Sequence, residues 1–226
     1  GGKAQTGDFK WADFGLNILG EKWVNHHGKH MVEGTRGMVE EANAKHEVLR
    51  GVGEVFGDTD VYGIANLDQK AATILLRGAV TESLDPSSKA IPGPKNNPMM
   101  PLAWLRGYTS PDGAKKGQAF CTTLGSSTDF ADEDLRRLVI NAALHLTGRP
   151  VPDKADAAFA DPFTPTKYAG INQKDFYRNR NLKPDDYAPG KSPATGLPAS
   201  GVKPAPPAAA PKQDSSMNTA PENAPH

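Results

Sequence analysis

Only one segment of this chain has the periodicity of an amphipathic helix, and this restricts the fold more than any other feature. The segment runs from Ala131 to Thr147. Asp129 is its predicted N-cap, and Gly148 and Pro150 end it. Its apolar stripe consists of Leu135, Leu138, Val139, Ala142 and Leu146. The two arginines beside the stripe, at 136 and 137, are expected on a solvated face. With one convincing helix, the chain can form few crossover connections between strands.

The middle of the chain is rich in predicted strands. Residues 73–80 form a short apolar, β-branched run, and residues 101–108 and 118–124 have the same character. Residues 109–117 join the last two with Pro-Asp-Gly, a turn sequence, so a β-hairpin is predicted over 101–124. Weaker strand candidates lie at 36–40 and 60–64.

The C-terminal segment has a composition that disfavours a packed core. Residues 188–226 contain nine of the chain's 20 prolines and no aromatic residue. Such a segment cannot bury enough apolar surface to offset the entropy of ordering, so a disordered Pro/Ala-rich tail or linker is predicted. We expect a domain over 1–150 and an extended segment packing on it over 151–187.

The charge and cysteine content exclude several protein classes. Lys plus Arg and Asp plus Glu both number 26, so the net charge is zero, which disfavours general nucleic-acid binding and polybasic membrane binding. No apolar run approaches the roughly 20 residues of a membrane span. The single cysteine, Cys121, excludes an internal disulfide and a multi-cysteine metal site. The chain begins Gly-Gly-Lys, which suggests a processed product or a fragment of a longer protein.

Three of the six histidines, His26, His27 and His30, lie within five residues, in Asn-His-His-Gly-Lys-His. Three interpretations remain open: a polar substrate contact, a divalent metal site and an ordinary surface loop. The zinc-protease pattern is absent, because His27 stands where that pattern needs a glutamate. Glu33 could add a carboxylate if the loop folds back on itself.

Two further side chains, Cys121 and Ser126, are of types that can act in catalysis. Cys121 lies inside a predicted strand rather than at an elbow or helix N-terminus, so we interpret it as a small core residue. Ser126 follows Leu124-Gly125 and precedes the helix, where it could bind a polar ligand. A turn or capping role explains the same position.

Several motifs in chain order resemble the trehalose-utilisation (ThuA-like) domain family. The resemblance covers about residues 9 to 150, and its most specific part is the strand, glycine and Leu-Arg-Arg-Leu helix at 120–141. The motifs are Asn43-Ala44-Lys45-His46, Val48-Leu49-Arg50-Gly51-Val52, Asp60-Val61-Tyr62, Thr73-Ile74-Leu75-Leu76-Arg77-Gly78, Met100-Pro101-Leu102-Ala103-Trp104-Leu105-Arg106 and Phe120-Cys121-Thr122-Thr123-Leu124-Gly125.

The resemblance implies an α/β fold of the flavodoxin-like, class I glutamine amidotransferase-like kind. The chain would supply the C-terminal half of that domain, with the N-terminal half missing. The family lacks the amidotransferase cysteine, so glutamine hydrolysis is not implied. The trailing segment, with Asp161, Pro162, Phe163 and Pro165, resembles bacterial forms that are often exported or periplasmic and joined to other domains through linkers.

The function expected from the resemblance is action on, or binding of, a sugar or keto-sugar in bacterial sugar utilisation. The alternative is a non-catalytic binding or scaffolding module of a multidomain exported protein. No resident cofactor is expected, although a divalent metal at the 26–30 loop remains open. The candidate catalytic residues are His26, His27 and His30, and the candidate substrate-binding residues are Asp60, Tyr62, Arg106 and Ser126. Asp60, Tyr62 and Arg106 are expected to line the same cleft as the histidines, because core packing does not explain these polar groups.

Overall fold

The computed structural model describes residues 13–160 together with residues 163, 165, 183 and 185. The predicted tail at 188–226, and most of the segment at 151–187, lie outside the described residues. The strands are β1 (Thr35–Val39), β2 (Val55–Gly57), β3 (Thr73–Val80), β4 (Met100–Thr109) and β5 (Lys116–Thr122), and the helix α1 is Glu133–Leu146. A π-helical turn lies at Gly15–Leu19, and 3-10 turns lie at Glu41–Asn43, Glu47–Leu49, Pro94–Asn96 and Asp129–Ala131.

The five strands form one sheet in the order β2-β1-β3-β4-β5, and every neighbouring pair is antiparallel. The fold is therefore a mixed α/β one. A flavodoxin-like sheet is built from parallel strands joined by crossover helices, and within residues 13–160 the sheet contains no parallel pair. The predicted hairpin is confirmed as β4 and β5, which pair from Ala103 opposite Thr122 to Thr109 opposite Lys116.

Helix α1 covers one face of this sheet and closes the main core. Leu135 and Leu138 pack against Leu75 and Leu102 of the central strands, and none of the four is exposed by more than 1%. The opposite face carries a second cluster in which Trp104 meets Leu67 and Ile74. Strand β3 lies centrally and is buried on both faces, which explains why its sequence does not alternate between polar and apolar residues.

The N-cap of α1 lies three residues after the predicted one. The N-cap is Asp132, whose carboxylate accepts a hydrogen bond from the Leu135 N–H at 2.7 Å. Asp129 belongs instead to the preceding 3-10 turn and is buried. Since Asp129 and Asp132 both suit the start of a helix, sequence spacing alone does not distinguish them.

The prediction that both arginines lie on a solvated face is wrong for Arg137. Its side chain is only 3% exposed, and its guanidinium contacts the carboxylates of Glu133 and Asp134 and donates to the Ala155 carbonyl. Arg136 donates in the same way to the Ala157 carbonyl. The two arginines thus hold residues 151–157 against α1, where Val151, Ala155 and Ala157 are buried.

One of the weaker strand predictions was misplaced. Residues 36–40 correspond to β1, but residues 60–64 are not a strand, and β2 lies earlier at Val55–Gly57. Of residues 60–64, Tyr62 alone forms a bridge, with His26. Within the described residues, no helix has the length and apolar character that crossing a bilayer requires.

Cys121 lies in β5 opposite Trp104 and is half-buried against the cluster of Trp104, Leu67 and Ile74. Burial, followed by the negative charge of Glu21, raises the pKa of its thiol to about 11. The thiolate is the reactive form, so at pH 8 we expect alkylation of the native protein to be roughly 100-fold slower than alkylation of the unfolded chain.

Iodoacetamide labelling of native and guanidinium-unfolded protein, followed by mass spectrometry, measures this ratio. Similar rates for the two states would contradict the burial of the thiol. Cys121→Ser should keep the ligand binding of the parent protein, since the residue lies within the sheet.

Candidate functional site

The site is built where the histidine loop lies against the segment that follows β2. The backbone N–H groups of His27 and Gly28 both donate to the Val61 carbonyl, at 2.8 and 2.9 Å. The Gly63 N–H donates to the Asn25 carbonyl at 2.9 Å. These bonds fix an otherwise irregular loop to the edge of the core, because Val61 itself is buried.

Gly28 is required by the close approach of these two segments. A Cβ atom at this position would lie 3.0 Å from the Asp60 Cβ and 3.1 Å from the Val61 nitrogen. A larger residue would separate the loop from Asp60, because backbone atoms cannot move aside cheaply. Packing against Asp60 and Val61 therefore explains why a glycine occupies position 28.

Asp60 connects two of the three loop histidines. The Nδ1 atom of His26 lies 2.7 Å from Asp60 Oδ2, and the Nδ1 atom of His30 lies 2.8 Å from Asp60 Oδ1. The carboxylate is 2% exposed, whereas the His26 and His30 side chains are 38% and 55% exposed. A carboxylate only accepts hydrogen bonds, so each Nδ1 carries a hydrogen, and in the neutral form of the ring Nε2 is an acceptor. We call these three residues the His26–Asp60–His30 cluster.

Aromatic side chains flank the cluster on the His26 side. The rings of Trp23 and Tyr62 both meet the His26 ring edge-on, with centroids 5.6 and 5.5 Å away. Trp23 is 61% exposed, so one apolar face beside the imidazoles is open to solvent. Burial, with the negative charges of Asp60 and Asp129, raises the pKa of Tyr62, which keeps its hydroxyl a neutral hydrogen-bond donor.

The rest of the histidine loop is strained and internally paired. Met31, next to His30, is the one non-glycine residue with positive φ (60°) in the described part of the chain, and it is exposed. Such a conformation costs about 1–2 kcal/mol and is common at functional loops. Glu33 is buried and accepts from Lys95 Nζ and from the Lys29 N–H, so its carboxylate is not offered to the cluster.

His27 is not part of the His26–Asp60–His30 cluster. Its Nε2 atom lies 2.7 Å from the Lys95 carbonyl, on the other side of the loop. The adjacent His26 and His27 thus have different partners, the Asp60 carboxylate and the Lys95 carbonyl. Of the three predicted catalytic histidines, His26 and His30 share Asp60 and His27 does not.

Arg106 occupies a separate pocket. Its guanidinium donates to the Leu16 carbonyl at 2.8 Å, and it lines a pocket of about 400 Å³ together with Gly20, Asn66 and Asp68. No residue of the His26–Asp60–His30 cluster lines this pocket. Arg106 was predicted to line the same cleft as the histidines. Within the described residues it lines a different pocket.

Ser126 holds a turn. Its Oγ accepts from the Asp129 N–H at 3.1 Å, and its own N–H donates to Asp129 Oδ2 at 2.9 Å. The same carboxylate accepts from the Thr59 hydroxyl and the Gly125 N–H. Asp129 thereby ties the loop before α1 to the residue that precedes Asp60.

The structure thus brings together His26, His30, Asp60 and Tyr62 among the seven predicted site residues. Sequence reasoning missed Trp23, although an aromatic residue three positions before a histidine cluster was a usable signal. One donor atom from each of His26, His30 and Asp60 lies within 4.8 Å of the others, so these three could hold a metal ion. No family model matches the chain, and comparison with curated proteins and with solved structures likewise found no match.

Proposed function

We propose that the chain binds a carbohydrate, a sugar or keto-sugar, at the His26–Asp60–His30 cluster and acts on it there as part of a ThuA-like domain. The observation that supports this proposal is the pairing of two solvent-facing imidazoles with one buried carboxylate, beside an exposed tryptophan.

The chemistry of the cluster suits a polyhydroxylated ligand. Asp60 holds both Nδ1–H groups, so the Nε2 atoms of His26 and His30 accept hydrogen bonds from hydroxyl groups. The neutral Tyr62 hydroxyl donates to a carbonyl or ring oxygen. The open face of Trp23 packs against the C–H face of a pyranose, as amphipathic aromatic residues do in binding sites.

Turnover would use the same groups as acid and base. His30, the more exposed imidazole, removes a proton from a ligand hydroxyl, or from the carbon beside a keto group, through Nε2. Asp60 stabilises the imidazolium that forms, since each imidazole already donates to it. Tyr62 then donates to the oxygen on which negative charge develops.

The alternative is a binding module without catalysis, and the openness of the cluster favours it. His26 and His30 are both more than one third exposed, whereas acid–base chemistry on a sugar benefits from a site that excludes water. Binding and turnover must therefore be measured separately.

The test is calorimetric titration with a panel of mono- and disaccharides and their keto derivatives, followed by NMR of the mixtures for turnover. Trp23→Ala should weaken binding about fivefold, because an aromatic contact contributes about 1 kcal/mol. His30→Ala should abolish turnover and weaken binding.

His27→Ala is the matched control, since its ring is engaged by the Lys95 carbonyl, and it should behave as the parent protein. Binding without turnover would select the module. If no sugar binds, or if Trp23→Ala and His30→Ala bind like the parent protein, the proposed function is wrong.

A further inference from the structure

We propose that His26, His30 and Asp60 form a binding site for a divalent transition-metal cation of the zinc type. The inference rests on the proposed function, which assigns sugar binding to this cluster, and it adds a cation to the same site. It starts from the donor set, which comprises one nitrogen from each imidazole and one carboxylate oxygen, all within 4.8 Å of one another.

The donor chemistry selects the class of cation. Two imidazoles and one carboxylate are the mixed nitrogen and oxygen set that Zn²⁺ and its neighbours prefer. Ca²⁺ and Mg²⁺ prefer oxygen ligands alone. Three protein ligands leave at least one coordination position for water or for a ligand hydroxyl, as in catalytic rather than structural zinc sites.

The protein holds these donors in place before any cation arrives. Asp60 is buried, and the backbone beside it is fixed by the bonds of the His27 and Gly28 N–H groups to the Val61 carbonyl. The two imidazole rings are already 4.5 Å apart, centroid to centroid. To coordinate a cation together with Asp60 through Nδ1, each imidazole would exchange its Nδ1–H hydrogen bond for a bond from Nδ1 to the metal, with the ring hydrogen on Nε2.

The surroundings favour a cation as well. The buried Asp60 carboxylate faces two imidazoles but no lysine or arginine among its hydrogen-bond and ion-pair partners within the described residues. Two lysines lie at the loop: Lys95 pairs with the Glu33 carboxylate, and Lys29 donates its backbone N–H to the same carboxylate. A divalent cation would supply the positive charge that two neutral imidazoles do not.

The cation would make use of the open position in the proposed function. Coordinated to the cluster, the cation would replace His30 as the group that activates the sugar, by polarising one of its carbonyl or hydroxyl oxygens. The exposure of His26 and His30 leaves access for such a ligand from solvent.

The experiment titrates the full chain, stripped of metal with chelator, with zinc chloride alone and then with cobalt chloride. We expect one tight equivalent of Zn²⁺, and a cobalt absorption spectrum typical of four- or five-coordinate nitrogen and oxygen ligands. His26→Ala and His30→Ala should each weaken zinc binding roughly 100-fold. Both residues are exposed, so the variants should fold, which circular dichroism verifies.

Two matched controls separate this site from other histidines. His27→Ala and His145→Ala should bind zinc like the parent protein, because their rings are held by the Lys95 carbonyl and by Glu47 and Gln118. If the His26→Ala/His30→Ala double variant keeps the tight equivalent, or if the parent protein binds no stoichiometric metal, the metal site is refuted.

The metal site and the proposed function fail in distinguishable ways. Sugar binding that persists unchanged in chelator, without a zinc equivalent, refutes the metal site and leaves the proposed function standing. A zinc equivalent that depends on His26 and His30, in a protein that binds no sugar, supports the metal site and refutes the proposed function.

Discussion

Trp104→Ala should lower the free energy of unfolding by about 3–5 kcal/mol, the usual cost of truncating a buried aromatic residue to alanine. Trp104 is 1% exposed on β4, packs against Leu67 and Ile74, and donates its indole N–H to the Leu19 carbonyl at 2.9 Å. The substitution leaves a cavity on the second face of the sheet and an unpaired carbonyl in the N-terminal turn. Urea unfolding followed by circular dichroism measures the change.

Trp23→Ala is the matched control for this effect. Trp23 is 61% exposed, so its truncation should change the free energy of unfolding by less than about 0.5 kcal/mol. The two substitutions should thus have different effects: the loss of Trp104 should lower protein stability, and the loss of Trp23 should weaken ligand binding. Equal destabilisation by both variants would contradict the assignment of Trp104 to the core.

The sequence predicted those elements whose local pattern and tertiary environment agree. Strand β3 has the predicted bounds, Thr73–Val80, because a continuous β-branched and apolar run suits a central strand buried on both faces. The hairpin followed from Pro-Asp-Gly between two apolar runs. Whether non-adjacent strands pair parallel or antiparallel depends on contacts between distant parts of the chain, which local patterns do not encode.

The failures at 60–64 and at Arg137 have the same physical origin. Asp60-Val61-Tyr62 has strand-like alternation, but its backbone bonds to the histidine loop rather than to the sheet. Arg137 is buried because two carboxylates and a backbone carbonyl surround it, and one of these partners lies 18 residues further along the chain. Burial of a charge can be predicted only when its partners are known.

The candidate site was predictable in part. Three histidines within five residues marked the loop, and Asp60 and Tyr62 were predicted as polar groups whose roles core packing does not explain. Which histidines face Asp60 could not be predicted, since the direction of each side chain depends on how the loop pairs with residues 61–63. Arg106 was assigned to the same cleft on residue type alone, and its contact with the Leu16 carbonyl involves a turn 90 residues earlier.

Asp129→Ala should cost about 3 kcal/mol, although the sequence suggested only a helix cap at this position. The buried carboxylate accepts from the Thr59 hydroxyl and from the N–H groups of Gly125 and Ser126, so its removal leaves three donors without their partner. Thr59 precedes Asp60, and the loss should therefore also shift the NMR signals of His26 and His30. Urea unfolding and histidine ring spectra measure the two effects.

Asp132→Ala is the matched control for Asp129→Ala, because it removes the carboxylate that caps α1 three residues later. Its bond to the Leu135 N–H predicts a cost of about 1 kcal/mol, typical of an N-cap, with the histidine signals unchanged. The difference arises because Asp129 bonds to Thr59, the residue before Asp60, whereas the second backbone partner of Asp132 is Phe56, within β2. If the two variants lose equal stability and neither moves the histidine signals, Asp129 does not connect the core to the site.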